Sequence, residues 1–248
     1  MKISKFLSRF SKIRKLKFVY LHIPKTAGGC LSYAIRKTNS SDKIVVKPHV
    51  INYSKLTEWE KEKTVFAIIR NPFSWYASLY NFKMNTNVIN NPEKDYPMMS
   101  NSSFMDFYHD VVWKDIRING LLKWHKPQKT YQLEMFKHSN HQIGFMTLNY
   151  LFYCCDSWED ILLEEDINKC LINNYESLIS VNKIINLENL QNQFDELLGE
   201  SGLCFDLSRK INATPSPIPY GQFYSTKMLT TIIERDRWIF EVFHYHRL

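Results

Sequence analysis

Hydrophobic positions in the first third of the chain form short runs separated by amphipathic stretches. Residues 18–23 (FVYLHI) are apolar, aromatic and β-branched and stop at Pro24, which predicts a buried strand. The polar turn KTAGG follows at 25–29, and CLSYAIRK at 30–37 reads as a helix. A second strand is predicted at 43–47 (KIVVK), a short helix at 57–63 and a third strand at 64–69 (TVFAII). Arg70-Asn71-Pro72 stops that strand, and FSWYASLYNFK at 73–83 reads as a helix with Pro72 at or just before its first turn. Strands that alternate with helices imply parallel pairing through crossovers, and hence an α/β fold.

Further along, 84–101 is polar and reads as an exposed excursion, and 102–175 is mainly helical in pattern. KIINL at 183–187 predicts one more strand, leading into an amphipathic helix at 188–199. A proline-containing loop spans 206–222 and a closing helix 225–244. No internal repeat or domain-length linker interrupts the chain, so residues 18–248 read as a single domain behind an N-terminal arm, 1–17. With 248 residues the chain is long enough to bury a substantial core, and 15% aromatic content excludes a disordered polymer. No apolar run approaches the ~20 residues of a membrane-spanning helix.

Charge changes this picture at one end only. The net charge is +7, yet seven of the 32 Lys and Arg lie in residues 1–17 with no acid among them, leaving 25 basic against 25 acidic residues elsewhere. A balanced body argues against nucleic acid as a partner, because that function spreads basic charge over a face of the fold. In the arm, Ile3, Phe6, Leu7, Phe10 and Ile13 fall at helical spacing among the basic residues. Two readings follow, a peripheral helix drawn to anionic lipid and a solvated arm docked on its own domain. The five cysteines are odd in number and include no CxxC, so neither a zinc site nor a disulfide framework is expected. With no cleavable leader pattern at the N-terminus, a cytoplasmic location is expected, peripheral at the inner membrane face if the arm binds lipid.

Two segments carry candidate chemistry. A strand running through a glycine-containing turn into a helix is an anion site in the making, since free N–H groups and the positive helix end point the same way. Here the turn adds Lys25 and Thr26, and Gly28 and Gly29 offer close backbone approach. The string GxxxxGK[ST] of nucleotide P-loops is missing; the lysine precedes the glycines. The second segment is RNPFSWYASLY at 70–80, with Arg70 at a strand's carboxyl end, where parallel sheets place ligands, and Ser78 about two turns into the helix. Each segment also has a purely structural reading, as a turn with a solvated lysine and as a capping arginine beside a small packed serine.

HIPKTAGGC at 22–30 resembles the 5′-phosphosulfate loop of sulfotransferases that use 3′-phosphoadenosine 5′-phosphosulfate (PAPS), and RNPFSWYASLY resembles their 3′-phosphate motif. The likeness is to the carbohydrate sulfotransferase branch that includes heparan sulfate 2-O-sulfotransferase and bacterial relatives. Weaker likeness continues at 183–198, 209–228 and 234–245, whereas 84–175 has no counterpart. The resemblance implies a P-loop-like three-layer fold, with a central parallel sheet flanked by helices and a mainly helical insertion. It implies that Lys25 binds the phosphosulfate bridge, that the backbone of Thr26, Ala27, Gly28, Gly29 and Cys30 with the Thr26 hydroxyl holds the 5′-phosphate, and that Arg70 and Ser78 hold the 3′-phosphate. Arg209 and Lys210 would close over the donor. Gly29 and Cys30 stand where the family usually has Thr and Ser, and Trp75 where a second Arg often follows.

Sulfuryl transfer by in-line displacement needs a cation at the leaving oxygen and a base at the acceptor hydroxyl, and needs no metal. Lys25 is the cation. His49, just after the second strand, is the chosen general base, in line with a histidine similarly placed in the resembling branch. Glu58 and Glu60 are the lesser candidates, and His22, inside the predicted first strand, reads as a packed core residue. The implied acceptor is a carbohydrate hydroxyl, with a lipid-linked glycan joining the basic arm to the chemistry. Aromatic residues (Tyr96, Trp113, Trp124) and basic ones (Lys114, Arg117, Lys123) are candidates to line its cleft. A P-loop-type kinase and a non-catalytic nucleotide- or lipid-binding relative are the other readings. For the arm, deletion of residues 2–15 is expected to abolish co-sedimentation with anionic liposomes; unchanged binding would remove its lipid role.

Overall fold

A computed structural model describes residues 16–49, 51–86, 143–207 and 223–246. In chain order these form β1 (Phe18–Leu21), α1 (Gly28–Lys37), β2 (Ile44–Lys47), α2 (Glu58–Lys61), β3 (Thr64–Ile69), α3 (Pro72–Thr86), α4 (Phe145–Cys154), α5 (Trp158–Ile161), α6 (Ile167–Leu178), β4 (Lys183–Asn186), α7 (Leu190–Leu198), α8 (Thr226–Arg235) and α9 (Arg237–Val242). The chain divides into two compact units, one of residues 1–69 and 180–213, the other of residues 70–179 and 214–248.

The first unit is α/β: a four-stranded, wholly parallel sheet in the order β2-β1-β3-β4, flanked by helices. Its strands are short and apolar without alternation, because both faces are covered. Phe18, Tyr20, Phe66, Ile68 and Ile185 turn into a cluster with residues of α1 and α7, while Val19, Leu21, Val65, Ala67 and Ile69 are also fully buried. The two helices present stripes at helical spacing, Cys30, Leu31, Ala34 and Ile35 from α1, and Leu190, Phe194 and Leu198 from α7. Burying such side chains contributes about 1.5–3 kcal/mol each. The Gln191 amide fixes the segment that follows: its Nε2 donates to the Phe205 carbonyl and its Oε1 accepts from the Leu207 N–H, both at 2.9 Å.

The chain goes from β1 to β2 on one side and then to β3 on the other, so the strand order reverses about β1; in open parallel sheets ligands commonly bind beyond the carboxyl ends of the strands at such a reversal. The first strand ends two residues earlier than its composition predicts. The Ile23 N–H turns back to the Leu21 carbonyl at 3.0 Å, which brings His22 out of the sheet.

The second unit is helical over its described residues. α4 is buried all round from Met146 to Cys154, as an apolar core helix must be. The predicted closing helix 225–244 is two helices, broken at Asp236 (φ −106°, ψ 27°). The break has a chemical cause. The wholly buried Asp236 carboxylate accepts from the Tyr76 hydroxyl (2.8 Å), the Thr147 N–H (2.9 Å) and the Thr147 hydroxyl (2.6 Å), so it caps the first turn of α4. Gly144 leaves room for it, since a Cβ there would stand 2.2 Å from both carboxylate oxygens. The predicted arm lies almost wholly, and the 87–142 part of the insertion wholly, outside the described residues. No helix among the described residues is long and apolar enough to cross a membrane. Asp236→Ala strands three buried donors and is expected to lower stability by about 3 kcal/mol or more, with Tyr76→Phe costing about 1 kcal/mol, as measured by urea unfolding.

Candidate active site

The loop that joins β1 to α1 is built from its own polar groups. The Thr26 hydroxyl donates to the Ile23 carbonyl at 2.8 Å, and the Tyr20 hydroxyl reaches up from the sheet to the Thr26 carbonyl at 3.2 Å. Lys25 (φ 67°) and Ala27 (φ 63°) both sit in the left-handed region, at roughly 1 kcal/mol or more each for residues with a Cβ. Such turns aim successive N–H groups to one side. α1 then starts from Ala27, which offers no side-chain cap, and its first turn holds no acid. The Leu31 N–H is bonded back to the Ala27 carbonyl at 3.1 Å, so the N–H groups of Gly28, Gly29 and Cys30 precede the helix's own bonding pattern. An uncapped helix start behind a kinked, lysine-bearing loop favours an anion.

The structure adds to the sequence expectation and departs from it at Thr26. The left-handed backbone falls on Lys25 and Ala27. Gly28 is needed for packing: a Cβ there would fall 1.6 Å from the His22 ring nitrogen Nε2, so only glycine lets that imidazole lie against the helix start. The Thr26 hydroxyl, expected on a phosphate, is spent on the Ile23 carbonyl, and the residue is fully buried. Cys30 is buried too. Its thiol donates to the Leu207 carbonyl at 3.5 Å, and burial, followed by the nearby Asp206 carboxylate, pushes its pKa up, so it is a thiol and no nucleophile. Lys25 at this loop is half-buried.

His49 lies two residues past β2, beside the end of β1. Its Nδ1 is 2.7 Å from the His22 main-chain carbonyl oxygen. A carbonyl only accepts, so Nδ1 carries the proton and Nε2 holds the lone pair. The two imidazoles are also in contact, with centroids 4.0 Å apart and planes tilted by 42°, and His22 stacks in turn on Tyr20 at 5.6 Å. Burial holds both histidines below the ordinary value of 6.5. His22 falls to about 3, with repulsion from His49 the second cause, and in His49 the lowering by burial outweighs the opposing hydrogen bond to His22. Both are neutral at neutral pH, with the His49 lone pair on Nε2. The lesser base candidates are otherwise engaged. Glu60 is paired with Lys47 and closes a capping box on Thr57; burial raises its pKa, but those bonds outweigh it and leave the carboxyl below normal. Glu58 is exposed and pairs with Lys61 at 3.3 Å.

In the second unit, Asn71 caps α3, its Oδ1 accepting from the Phe73 and Ser74 N–H groups at 3.0 and 3.4 Å, with Pro72 as the first helical residue. Arg70 donates from Nε to the Ser74 hydroxyl at 2.7 Å, which itself donates to the Asn71 carbonyl at 3.1 Å. Ser74 orients the guanidinium, and its spacing of four from Arg70 was the overlooked signal. Ser78 lies one turn further on, partly exposed, and Trp75, where the family often has Arg, is wholly buried against Tyr76 and Phe145. Arg209 and Lys210, and the aromatic and basic residues considered for an acceptor cleft, lie outside the described residues. Among the described residues no group of three or more His, Cys, Asp or Glu is placed to hold a metal ion.

No family model, no curated protein and no solved structure matches this chain.

Because His22 is neutral in the folded protein to about pH 3 and protonates near 6.5 when unfolded, the unfolded chain binds more protons between those values. Stability is therefore expected to fall as pH drops from about 6.5 towards 3, and His22→Leu is expected to flatten that slope in urea titrations across the window.

Proposed function

We propose that this chain is a PAPS-dependent sulfotransferase, of P-loop-like three-layer fold, that transfers a sulfuryl group to a hydroxyl of a carbohydrate acceptor. The observation that carries the reading is the pairing, in one α/β unit, of an uncapped, lysine-bearing helix start with a histidine whose Nε2 is the proton-accepting nitrogen. The donor supplies the sulfuryl group already activated by its phosphate leaving group. The N–H groups at 28–30, in the first turn of α1 behind the left-handed Lys25 and Ala27, suit its 5′-phosphate without a side-chain hydroxyl. The Lys25 ammonium offsets charge gathering on the bridging oxygen as the sulfur–oxygen bond breaks. His49 Nε2 takes the proton of the acceptor hydroxyl as its oxygen bonds to sulfur. The products are a sulfate ester and 3′,5′-adenosine bisphosphate. Arg70, held through Ser74, and Ser78 take the 3′-phosphate in this reading, with Arg209 and Lys210 closing over the donor. A lipid-linked glycan at the inner membrane face would bring residues 1–17 to the lipid.

One second reading has an observation behind it. The inward Thr26 hydroxyl and the buried Cys30 thiol thin the 5′-phosphate contacts, as in a non-catalytic nucleotide-binding relative. A kinase of P-loop type would prefer Mg-ATP. Calorimetry separates the three, since the sulfotransferase binds 3′,5′-adenosine bisphosphate without Mg2+ and turns over PAPS, the binding relative does only the first, and the kinase takes Mg-ATP. Lys25→Ala and Arg70→Ala are expected to abolish transfer with the fold retained. His49→Ala is expected to slow it about 100-fold or more and leave adenosine bisphosphate affinity within a few-fold. The acid limb of wild-type transfer should fall below pH 6.5, because the lowered His49 pKa keeps the base free further into acid. Wild-type rates in Lys25→Ala would overturn the assignment.

A further inference from the structure

We propose that His22 is a positioning residue: its main-chain carbonyl and the contact of its ring together lock His49 in the tautomer that leaves Nε2 unprotonated, and Gly28 admits that ring. Three independent features converge on this. The first is the 2.7 Å contact from His49 Nδ1 to the His22 carbonyl oxygen, which only a protonated Nδ1 can make. The second is the ring contact, with centroids 4.0 Å apart and planes tilted by 42°, which stops the His49 ring from turning its other edge to the carbonyl. The third is the space itself. A methyl at position 28 would overlap three atoms of the His22 ring, at 1.6, 1.9 and 2.2 Å, so the imidazole occupies ground that any other residue at 28 would fill. Tyr20 supports the ring from the other side, stacked at 5.6 Å and anchored by its hydroxyl to the Thr26 carbonyl. The chain thus carries a column of Tyr20, His22 and His49 from the sheet to the loop.

The bend after β1 makes this possible. The Ile23 N–H to Leu21 carbonyl contact turns the peptide of His22 out of the ladder, so its carbonyl faces the β2 loop where a strand residue's would face β3 or β2 in register. In water histidine favours the proton on Nε2, so the tautomer seen here is the one that needs holding. The positioning of His49 stands on geometry alone; its consequence for rate rests on the sulfotransferase reading.

The test uses the full chain, labelled with 15N in histidine, and records the two-bond 15N–1H pattern of His49 near neutral pH. Wild type is expected to show Nδ1 protonated and Nε2 bare. His22→Ala is expected to make the Nε2–H form the major one. His22→Leu, which fills the space without a flat ring and so guards against loss of fold, is expected to do the same. With PAPS and an acceptor oligosaccharide, both variants are expected to lose about tenfold in kcat with little change in adenosine bisphosphate affinity. A wild-type His49 protonated on Nε2, or either variant keeping the wild-type pattern, would overturn the proposal. The expected tautomers in a protein that transfers no sulfuryl group would sustain the positioning and sink the sulfotransferase reading. Transfer that survives with the tautomer unmoved in both variants would do the reverse.

Discussion

The first unit turns on a single close approach, an imidazole laid against the bare Cα of Gly28. Everything near the helix start follows from it. For the His22 ring to lie there, the chain must leave the sheet at Leu21, which the Ile23-to-Leu21 turn accomplishes. Once it has left, α1 must begin at Gly28, and the residues between must double back, which drives Lys25 and Ala27 into left-handed backbone. The Thr26 side chain is then drawn inward to satisfy the Ile23 carbonyl that the departing strand leaves behind. The strain in this loop, roughly 1 kcal/mol or more at each of two residues, is held by the surrounding contacts: the buried Thr26, the Tyr20 hydroxyl and the fully buried Ile23.

A similar economy governs the second unit, where one buried carboxylate sets the direction of three helices. Asp236 ends α8, starts α9 and caps α4, and the Trp238 indole N–H donates to the same Thr147 hydroxyl that serves Asp236. The fully buried charge is tolerable because its oxygens are met by three donors and by the α4 start. Asn168 of α6 adds a parallel clamp, donating to the Arg235 carbonyl at 3.2 Å and accepting from the Trp238 N–H at 3.1 Å. In the second unit, side chains from within α3, α4 and α6 meet at the break between α8 and α9.

What the sequence made legible was whatever rests on short-range pattern. All four strands lie within their predicted runs, and the two central ones, β1 and β3, read as unbroken apolar segments because both their faces are covered. Asn71-Pro72 marked the start of α3 through local capping chemistry. The placing of His49 after β2 was readable; its tautomer was not, because that depends on a carbonyl 27 residues earlier. The helix break at Asp236 escaped notice because ERDRWIF has no breaker. Its cause is Tyr76 and Thr147, both distant in sequence. Gly28 was visible as a glycine, but the room it gives the His22 ring was not, since that residue lies six positions upstream and reads as part of a strand.

These details change how an anion would be recognised at the loop. With the Thr26 hydroxyl turned inward and the Cys30 thiol bonded to Leu207, an anion held there would be met chiefly by backbone N–H and the helix dipole, not by side-chain hydroxyls. Recognition of that kind is governed by charge and distance more than by directed bonds. It therefore discriminates weakly among phosphate-like groups and is screened by salt when exposed. Arg70, in the second unit, is a contact of another kind. Its Nε is tied to Ser74, so the orientation of the guanidinium is set by the first turn of α3. A guanidinium is planar and meets a phosphate through paired N–H groups, whereas an ammonium acts as a point charge, so the two residue types contribute direction and attraction respectively wherever they bind an anion.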